Sequence, residues 1–245
     1  MPQSAAIISG TQAALGQFPW HVLLKIDETD EGTYDICGGS IISNKWVLTA
    51  AHCIYNIKSL VMAFGTIQLD NNSIIMDCPN YYIHPSYNDD YFTDDIGLIE
   101  LITPLNFTHN IQAIDLVALS ESTNDFVGAQ GIISGFGTTS DKIYKPSQWL
   151  LWTTVEIVNN SRCAKVHKVP NDNRTMCAIG WNGTNQSPCI SDSGGALVWK
   201  NKSNKLVQIG VINFAAKRCS KQPTGYARLT TYLKYIQDVT GLNLV

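Results

Sequence analysis

The chain has 245 residues, 44% of them hydrophobic, and a formal net charge of −3, so it can bury either one large all-β core or two small ones. Its 17 Lys and Arg residues are scattered, which leaves no basic stripe for nucleic acid or an anionic membrane. No apolar run approaches the roughly 20 residues of a membrane-spanning helix. Residues 1–6 lack the hydrophobic centre of a signal peptide, and we expect them to be a residual pro-segment or residues added for expression.

Short apolar runs, broken by Gly, Asn, Asp and Pro, follow one another along the chain. Many short strands with turn residues between them, and little helical periodicity, predict an all-β barrel or sandwich. A long connection between about residues 106 and 128 is a weak candidate for a boundary between two parts of the chain. In chain order the predicted strands cover residues 18–24, 39–42, 46–49, 96–101, 131–135, 150–158, 196–199, 206–212 and 226–229.

The C-terminal segment has the period of a helix. Its apolar side chains recur at helical spacing, and Gly241 follows as a stop, so we predict a helix over about residues 230–240. The side chains that carry this pattern are Leu229, Tyr232, Leu233, Ile236 and Val239.

Three motifs supply the parts of a serine nucleophile system. His52 stands beside a cysteine at the end of an apolar run, Asp95 opens another run, and Ser193 lies between an aspartate and two glycines. A serine hydroxyl needs a base within hydrogen-bond reach, and the base needs a group that holds its tautomer. We therefore predict that Ser193 attacks a carbonyl, His52 takes the proton and Asp95 orients His52. Each motif alone is weak, but the chain order His, Asp, Ser is one of the few convergent solutions.

The seven cysteines include no C-x-x-C pair, which disfavours a zinc or redox site. The simplest interpretation is three disulfides and one free thiol in an oxidising compartment, and the sequence alone leaves the pairing open. Seven Asn-x-Ser/Thr sequons also suggest a secreted glycoprotein. The cysteines are residues 37, 53, 78, 163, 177, 189 and 219, and the sequons begin at Asn71, Asn106, Asn159, Asn173, Asn182, Asn185 and Asn201.

From Ile7 to Val245 the chain resembles the trypsin/chymotrypsin family of secreted serine endopeptidases, in its elastase- or chymotrypsin-like branch. The resemblance implies two six-stranded antiparallel β-barrels, at about residues 20–106 and 128–228, with the active site in the cleft between them and a C-terminal helix. It also implies a monomer that acts on peptide or protein substrates and meets protein protease inhibitors, without a cofactor. The matching motifs are residues 7–10, 17–20, 37–42, 46–53, 84–88, 95–101 and 192–195.

The resemblance also assigns the cysteines. It implies the disulfides Cys37–Cys53, Cys163–Cys177 and Cys189–Cys219, of which the last would clamp two walls of the substrate pocket. Cys78 is then the odd cysteine, either a buried small hydrophobe or a partner in an intermolecular disulfide.

The resemblance places Ser187 at the floor of the substrate pocket. A neutral floor argues against cleavage after Lys or Arg, because an unpaired buried cation costs several kcal/mol. The walls should come from Asn213, Phe214 and Ala215 and from Thr224. Side chains at these positions favour small or medium apolar residues, as in elastase. If the glycine after Thr224 lines the pocket instead, a chymotrypsin-like preference for Phe, Tyr or Leu returns.

The chain departs from the family pattern near the nucleophile. Ser191 replaces a glycine whose N–H, with that of Ser193, forms the oxyanion hole, and its Cβ can disfavour the required backbone. Asn213 replaces a serine near the buried aspartate, where we expect its amide still to hydrogen-bond. These departures motivate an alternative: a non-catalytic or weakly active homologue that serves as a binding or decoy protein.

Activation in the family uses a new N-terminal amine. Cleavage before Ile7 would free an amine that pairs with Asp192 and shapes the oxyanion hole. Residues 1–6 block that amine, so the chain as written should be zymogen-like.

The acidic residues near position 90 raise the possibility of calcium binding. Asp95 is assigned to catalysis, and we interpret Asp89, Asp90 and Asp94 as a solvated loop. Residues 67–77, which match a segment where some members of the family bind calcium, contain only Asp70 and Asp77 and lack a dense set of carboxylates, so we expect no metal.

Overall fold

The computed structural model describes residues 6–27, 34–70, 74–77, 80–215 and 218–244. The predictions for Cys78, and for the sequon at Asn71, lie outside the described residues. The helices are α1 (Ala6–Ser9), α2 (Ser161–His167) and α3 (Leu229–Thr240). The strands are β1 (Thr11–Gln12), β2 (His21–Asp27), β3 (Asp35–Ile41), β4 (Trp46–Thr49), β5 (Ser59–Phe64), β6 (Ile74–Asp77), β7 (Asn80–Ile83), β8 (Gly97–Glu100), β9 (Asp115–Leu116), β10 (Gln130–Gly135), β11 (Thr138–Ser140), β12 (Ile143–Pro146), β13 (Leu151–Val158), β14 (Thr175–Gly180), β15 (Ala196–Lys200), β16 (Leu206–Phe214) and β17 (Thr224–Arg228).

The N-terminal half folds into one curved antiparallel sheet in the order β6-β5-β2-β3-β4-β8-β7. The interior strand β2 pairs with β3 from His21 opposite Ser40 and with β5 from Val22 opposite Phe64. The inward-facing side chains of these strands are fully buried, which gives the sheet its hydrophobic core. This sheet has seven strands rather than the predicted six. Among the described residues no pairing joins its edges, β6 and β7, so it is a half-barrel.

The C-terminal half contains a closed barrel. The strands β13, β10, β15, β16, β17 and β14 pair in that order, and β14 pairs back to β13. Burial alternates along β13, as expected for a strand with one face toward a barrel interior. The barrel has the six strands that the family resemblance implied, and the predicted all-β class is confirmed.

Helix α3 packs its apolar stripe against the core and ends where the sequence predicted. Leu229, Tyr232 and Ile236 are buried. Gly241 has a φ of +70°, and its N–H donates to the carbonyl oxygen of Gln237, so the helix ends on a left-handed residue that glycine adopts without strain. No helix in the described ranges is long and apolar enough to cross a membrane.

Three disulfides stabilise the loops around the two sheets: Cys37–Cys53, Cys163–Cys177 and Cys189–Cys219. These are the pairs that the family resemblance implied. Cys37–Cys53 connects β3 to the turn that carries His52. Cys189–Cys219 connects the segment before Ser193 to the segment that precedes β17.

Candidate active site

His52 and Asp95 are brought together by two paired strands. His52 lies in the 3₁₀ turn Ala51–Cys53 that follows β4, and Asp95 lies just before β8. Because β4 and β8 pair with Thr49 opposite Gly97, the two side chains meet at the end of the ladder. His52 Nδ1 is 2.7 Å from Asp95 Oδ2, and the backbone N–H of His52 donates to Asp95 Oδ1 at 2.8 Å. Both carboxylate oxygens therefore hold the same histidine.

The aspartate sets the charge state of this pair. Asp95 is fully buried, whereas the His52 side chain keeps 21% of its surface exposed, so a substrate can reach the imidazole. Burial by itself lowers the pKa of His52, but the charge and hydrogen bond of Asp95 outweigh it and raise the pKa above its ordinary value. The pair is thus arranged to stabilise an imidazolium.

The backbone of Ser193 is tied to β3, which pairs with the strand that precedes His52. Its carbonyl oxygen accepts the N–H of Gly38 at 2.7 Å, and the carbonyl oxygen of Gly38 accepts the hydroxyl of Thr49 at 2.8 Å. Gly194 has a φ of +81°, and a Cβ there would collide with Thr49 Oγ1, so only glycine fits. Across the described part of the chain, no hydrogen bond joins Ser193 Oγ to His52. Such catalytic hydrogen bonds often tighten only when substrate binds.

The residues before Ser193 form a tight turn. The N–H of Asp192 donates to the carbonyl oxygen of Cys189 at 3.0 Å, and Ser191, at the third position of the turn, has a φ of +75°. A positive φ at that position is typical of a type II turn, which favours glycine. Ser191 therefore keeps the backbone of the glycine it replaces, at a cost of about 1–2 kcal/mol for a side chain in the left-handed region.

Two N–H groups of this loop are free to bind a ligand. The N–H groups of Asp192, Gly194 and Gly195 all donate to backbone carbonyl oxygens. Those of Ser191 and Ser193, which alternate with them, donate to no group in the described residues. Paired backbone donors of this kind are what an oxyanion hole requires.

Asp192 is buried, and its carboxylate pairs with no cationic group of the described residues. Its carboxylate accepts the N–H of Gly137 at 2.8 Å and that of Cys189 at 2.9 Å. Burial raises the pKa of Asp192 to about 7, although these two hydrogen bonds lower it. The predicted ion pair with Ile7 does not form in this chain, because the nitrogen of Ile7 is an amide joined to Ala6. Ile7 is fully buried and has a φ of +47°, a strained value for a β-branched residue.

The predicted pocket residues divide between two disulfides: Ala215 packs beside Cys189–Cys219, whereas Phe214 packs beside Cys163–Cys177. Ser187 and Thr224 are both buried, and their hydroxyl oxygens are 3.3 Å apart. Gly225 faces the ring of Phe214 instead, since a Cβ on Gly225 would collide with that ring. The partly buried Ala215 packs with Cys189 and Cys219. The side chain that shares space with Ser187 is therefore that of Thr224.

Asn213 has no hydrogen bond to Asp95 in the described residues. Its Nδ2 donates to the carbonyl oxygen of Phe92 at 3.2 Å, and its buried Oδ1 has no partner among the described residues. Asn213 instead holds the loop that leads into Asp95, where the ring of Phe92 stands 5.9 Å from that of His52.

Asp94 is not part of a solvated loop. It is buried, with only 9% of its surface exposed. Its Oδ2 accepts Arg174 Nη1 at 2.8 Å, and its Oδ1 accepts the hydroxyl of Tyr232 at 3.2 Å. Sequence analysis missed this cluster, because Arg174 and Tyr232 lie 80 and 138 residues away and no motif links them to Asp94.

Two groups of side chains in the described residues have the spacing of metal ligands: Cys37 with His52 and Cys53, and Asp141 with Cys189 and Cys219. In both groups the sulfurs are joined in a disulfide. A disulfide sulfur is not the thiolate that binds a metal, so neither group is a metal centre.

Comparison with known proteins gives a consistent family. A family model described as Trypsin matches residues 7–236. The chain is 34% identical over 241 residues to a protein named collagenase from Hypoderma lineatum, covering 96% of this chain and 88% of the relative. It is 29% identical over 237 residues to a protein named chymotrypsin from Phaedon cochleariae, covering 96% and 82%. The solved structure of HL collagenase matches with a TM-score of 0.85 and 32% identity, over 97% of this chain and 100% of that one.

Proposed function

The chain belongs to the trypsin family and is a serine endopeptidase, and we propose that Ser193, His52 and Asp95 carry out its reaction. The observation that carries this assignment is the pair of the buried Asp95 with His52, near a serine whose backbone is bonded to β3 of the same sheet. The non-catalytic alternative is not favoured, because it would leave this buried ionic pair without a role.

The reaction proceeds through an acyl-enzyme. Ser193 Oγ attacks the carbonyl carbon of the scissile bond while His52 Nε2 takes its proton, and Asp95 stabilises the imidazolium. The N–H groups of Ser191 and Ser193 bind the oxyanion of the tetrahedral intermediate. His52 then gives the proton to the leaving amine as the C–N bond breaks. Water, deprotonated by His52, attacks the ester and releases the acid and Ser193.

Labelling with a fluorophosphonate tests the assignment of the nucleophile. The chain beginning at Ile7 should be labelled on Ser193, and the Ser193→Ala variant should not be labelled. The His52→Ala variant keeps the hydroxyl but loses the base, so it should label far more slowly. A wild-type protein that stays unlabelled at Ser193, or labels equally without His52, contradicts the assignment.

The pocket favours small or medium apolar residues before the scissile bond. Its floor contains two hydroxyl groups, Ser187 and Thr224, and no carboxylate to pair with a buried Lys or Arg of a substrate. The Thr224 side chain shortens the pocket, so we place an elastase-like preference ahead of a chymotrypsin-like one. Asn213, Phe214 and Ala215 supply the adjacent wall.

Matched peptide substrates that differ only in the residue before the scissile bond test this preference. Ala or Val should be cleaved faster than Phe, and Arg slowest. The Thr224→Gly variant removes a side chain from the pocket and makes room for a larger substrate residue. The ratio of kcat/KM for Phe to that for Ala should therefore rise by about tenfold. Faster cleavage after Arg than after all three apolar residues would show that the pocket is misassigned.

Ile7 and Asp192 form the activation switch. Cleavage before Ile7 would convert its strained amide into an ammonium group, the cation that the buried Asp192 lacks. We therefore propose that the chain as written is a zymogen. N-terminal sequencing of the active protein should begin at Ile7, and full activity in a protein that retains Ala6 argues against the switch.

The protein is secreted, glycosylated and monomeric, and protein protease inhibitors are among its partners. Support comes from three disulfides and from the exposure of sequon asparagines such as Asn106, Asn173 and Asn185. The N-terminal half-barrel, at about residues 20–106, and the C-terminal closed barrel, at about residues 128–228, form the two halves of one protease domain. Glycosidase treatment of the secreted protein should lower its apparent mass, and an unchanged mass argues against glycosylation.

A further inference from the structure

The two adjacent aspartates before β8, Asp94 and Asp95, bind different side chains. Asp95 uses both carboxylate oxygens on His52, whereas Asp94 uses one oxygen on Arg174 and the other on Tyr232. Arg174 precedes β14 of the closed barrel, and Tyr232 lies in α3. The residue next to the catalytic aspartate is therefore held by elements of the other half of the molecule.

The segment that Asp94 belongs to has a strained backbone. Phe92 and Asp94 have φ values of +49° and +52°, in the left-handed region that costs a non-glycine residue stability. Such a conformation persists only where surrounding contacts hold it. The contacts come from Asn213, which binds the carbonyl oxygen of Phe92, and from the two partners of the Asp94 carboxylate.

Arg174 is itself oriented for this contact. Its Nε and Nη2 donate to Asp172 Oδ2 at 2.9 and 2.6 Å, which leaves Nη1 for Asp94 at 2.8 Å. The planar guanidinium thus bridges two carboxylates in a fixed geometry that a lysine cannot reproduce. Tyr232 is fixed in turn by His84, whose ring packs edge-on at 5.4 Å.

We propose that Arg174 and Tyr232 are positioning residues for the reaction, which act through Asp94 to hold Asp95 against His52. The proposal rests on the proposed function of Asp95 and His52. Neither residue touches the substrate or the reacting atoms. Their contacts fix the backbone immediately before Asp95, and a displacement of 1 Å in a catalytic group can lower a rate by about 100-fold.

Steady-state kinetics of the Arg174→Met variant test the proposal, with the chain beginning at Ile7 and a peptide substrate. We expect kcat to fall about tenfold with little change in KM, the pattern of an interaction needed in the transition state. We also expect the acid-side midpoint of the pH–rate profile to move down, because the hydrogen bond that His52 Nδ1–H donates to Asp95 is weakened. Loss of a nearby cation alone would move that midpoint up, so the direction separates positioning from simple electrostatics.

Three further variants complete the experiment. Tyr232→Phe removes one hydrogen bond without a change of charge, and it should lower kcat by a smaller factor and move the midpoint the same way. Arg174→Lys restores the charge but not the bridge, and should recover only part of the rate. Lys205→Met removes an exposed ion pair with Asp115 in the same half of the molecule and serves as the matched control, with unchanged kinetics.

The outcomes of the two proposals are distinguishable. If wild-type protein is labelled at Ser193 but Arg174→Met and Tyr232→Phe keep its kcat and pH midpoint, the positioning role is wrong. A midpoint that moves up in Arg174→Met also overturns it. If Arg174→Met does not fold, Tyr232→Phe decides alone. If wild-type protein is not labelled at Ser193, the proposed function itself fails.

Discussion

The two sides of the candidate active site differ in how complete they are before any cleavage at Ile7. On one side, Asp95 and His52 form a buried pair with every carboxylate oxygen in use. On the other side, Asp192 is buried with no cationic partner among the described residues, and Ser191 and Ile7 both have positive φ values. Strand pairing thus assembles the His52–Asp95 pair, whereas under the proposed activation the oxyanion side still needs the ammonium group that cleavage before Ile7 would supply.

Replacement of the orienting carboxylate should have the largest effect. Asp95→Asn keeps the shape of the side chain but favours the wrong tautomer of His52, so kcat should fall about 10⁴-fold. Substrate kinetics on the chain beginning at Ile7 measure this, with Asp90→Asn, on the exposed part of the same loop, as the control. A fall of less than tenfold would mean that Asp95 does not orient the base.

The second prediction concerns Asp192 and the pH dependence of the free energy of unfolding. Because burial raises the pKa of Asp192 to about 7, the folded uncleaved chain binds a proton that the unfolded chain releases near pH 4. The contribution of Asp192 to the free energy of unfolding should therefore decrease by about 4 kcal/mol between about pH 4 and 7. The buried His21, whose pKa is lowered by burial to about 4, contributes in the opposite direction over this range, so the contribution of Asp192 is the difference between wild type and Asp192→Asn. Urea unfolding at several pH values measures the slope.

The Asp192→Asn variant and the cleaved chain provide the comparisons for that slope. Asp192→Asn removes the titrating group, so the decrease should disappear. In the cleaved chain the amine of Ile7 pairs with the carboxylate and lowers its pKa, so the decrease should shrink. An equal slope in all three proteins would show that Asp192 is not the responsible group.

The smallest effect should come from the turn residue Ser191. Its φ of +75° already gives the backbone the conformation that we propose for the oxyanion hole. The presence of serine rather than glycine at this position should therefore lower the stability of the protein but not its reaction rate. Ser191→Gly should raise the free energy of unfolding by about 1 kcal/mol and change kcat by less than about threefold. Ser191→Ala is the matched control, because it keeps the Cβ and should gain nothing. A rate increase of 100-fold or more in Ser191→Gly would instead indicate a defective oxyanion hole.

Much of this arrangement could be predicted from local sequence. The strand β4 begins and ends where predicted, β10, β13 and β15 lie within one residue of their predictions, and Gly241 ends α3. These elements have strong apolar patterns or a glycine stop. The predictions did not include β5, β6, β7, β14 or the short helix α2, whose sequences lack a clear period.

The site was less predictable where it depends on contacts between the two halves. His52, Asp95 and Ser193 each stand in a distinctive motif, but the contact of Asp94 with Arg174 spans 80 residues and depends on how the sheets pack. The hydrogen bond of Asn213 to Phe92 depends equally on a positive φ in that loop. Local patterns carry no information on such contacts.

The most direct test of the difference between the two sides is an NMR pH titration of the His52 ring in the uncleaved chain and in the chain beginning at Ile7. The strand pairing that forms the His52–Asp95 pair exists before cleavage, so the pKa of His52 should be raised above its ordinary value in both proteins. An ordinary or lowered pKa in the uncleaved chain, which becomes raised only after cleavage, would contradict the account.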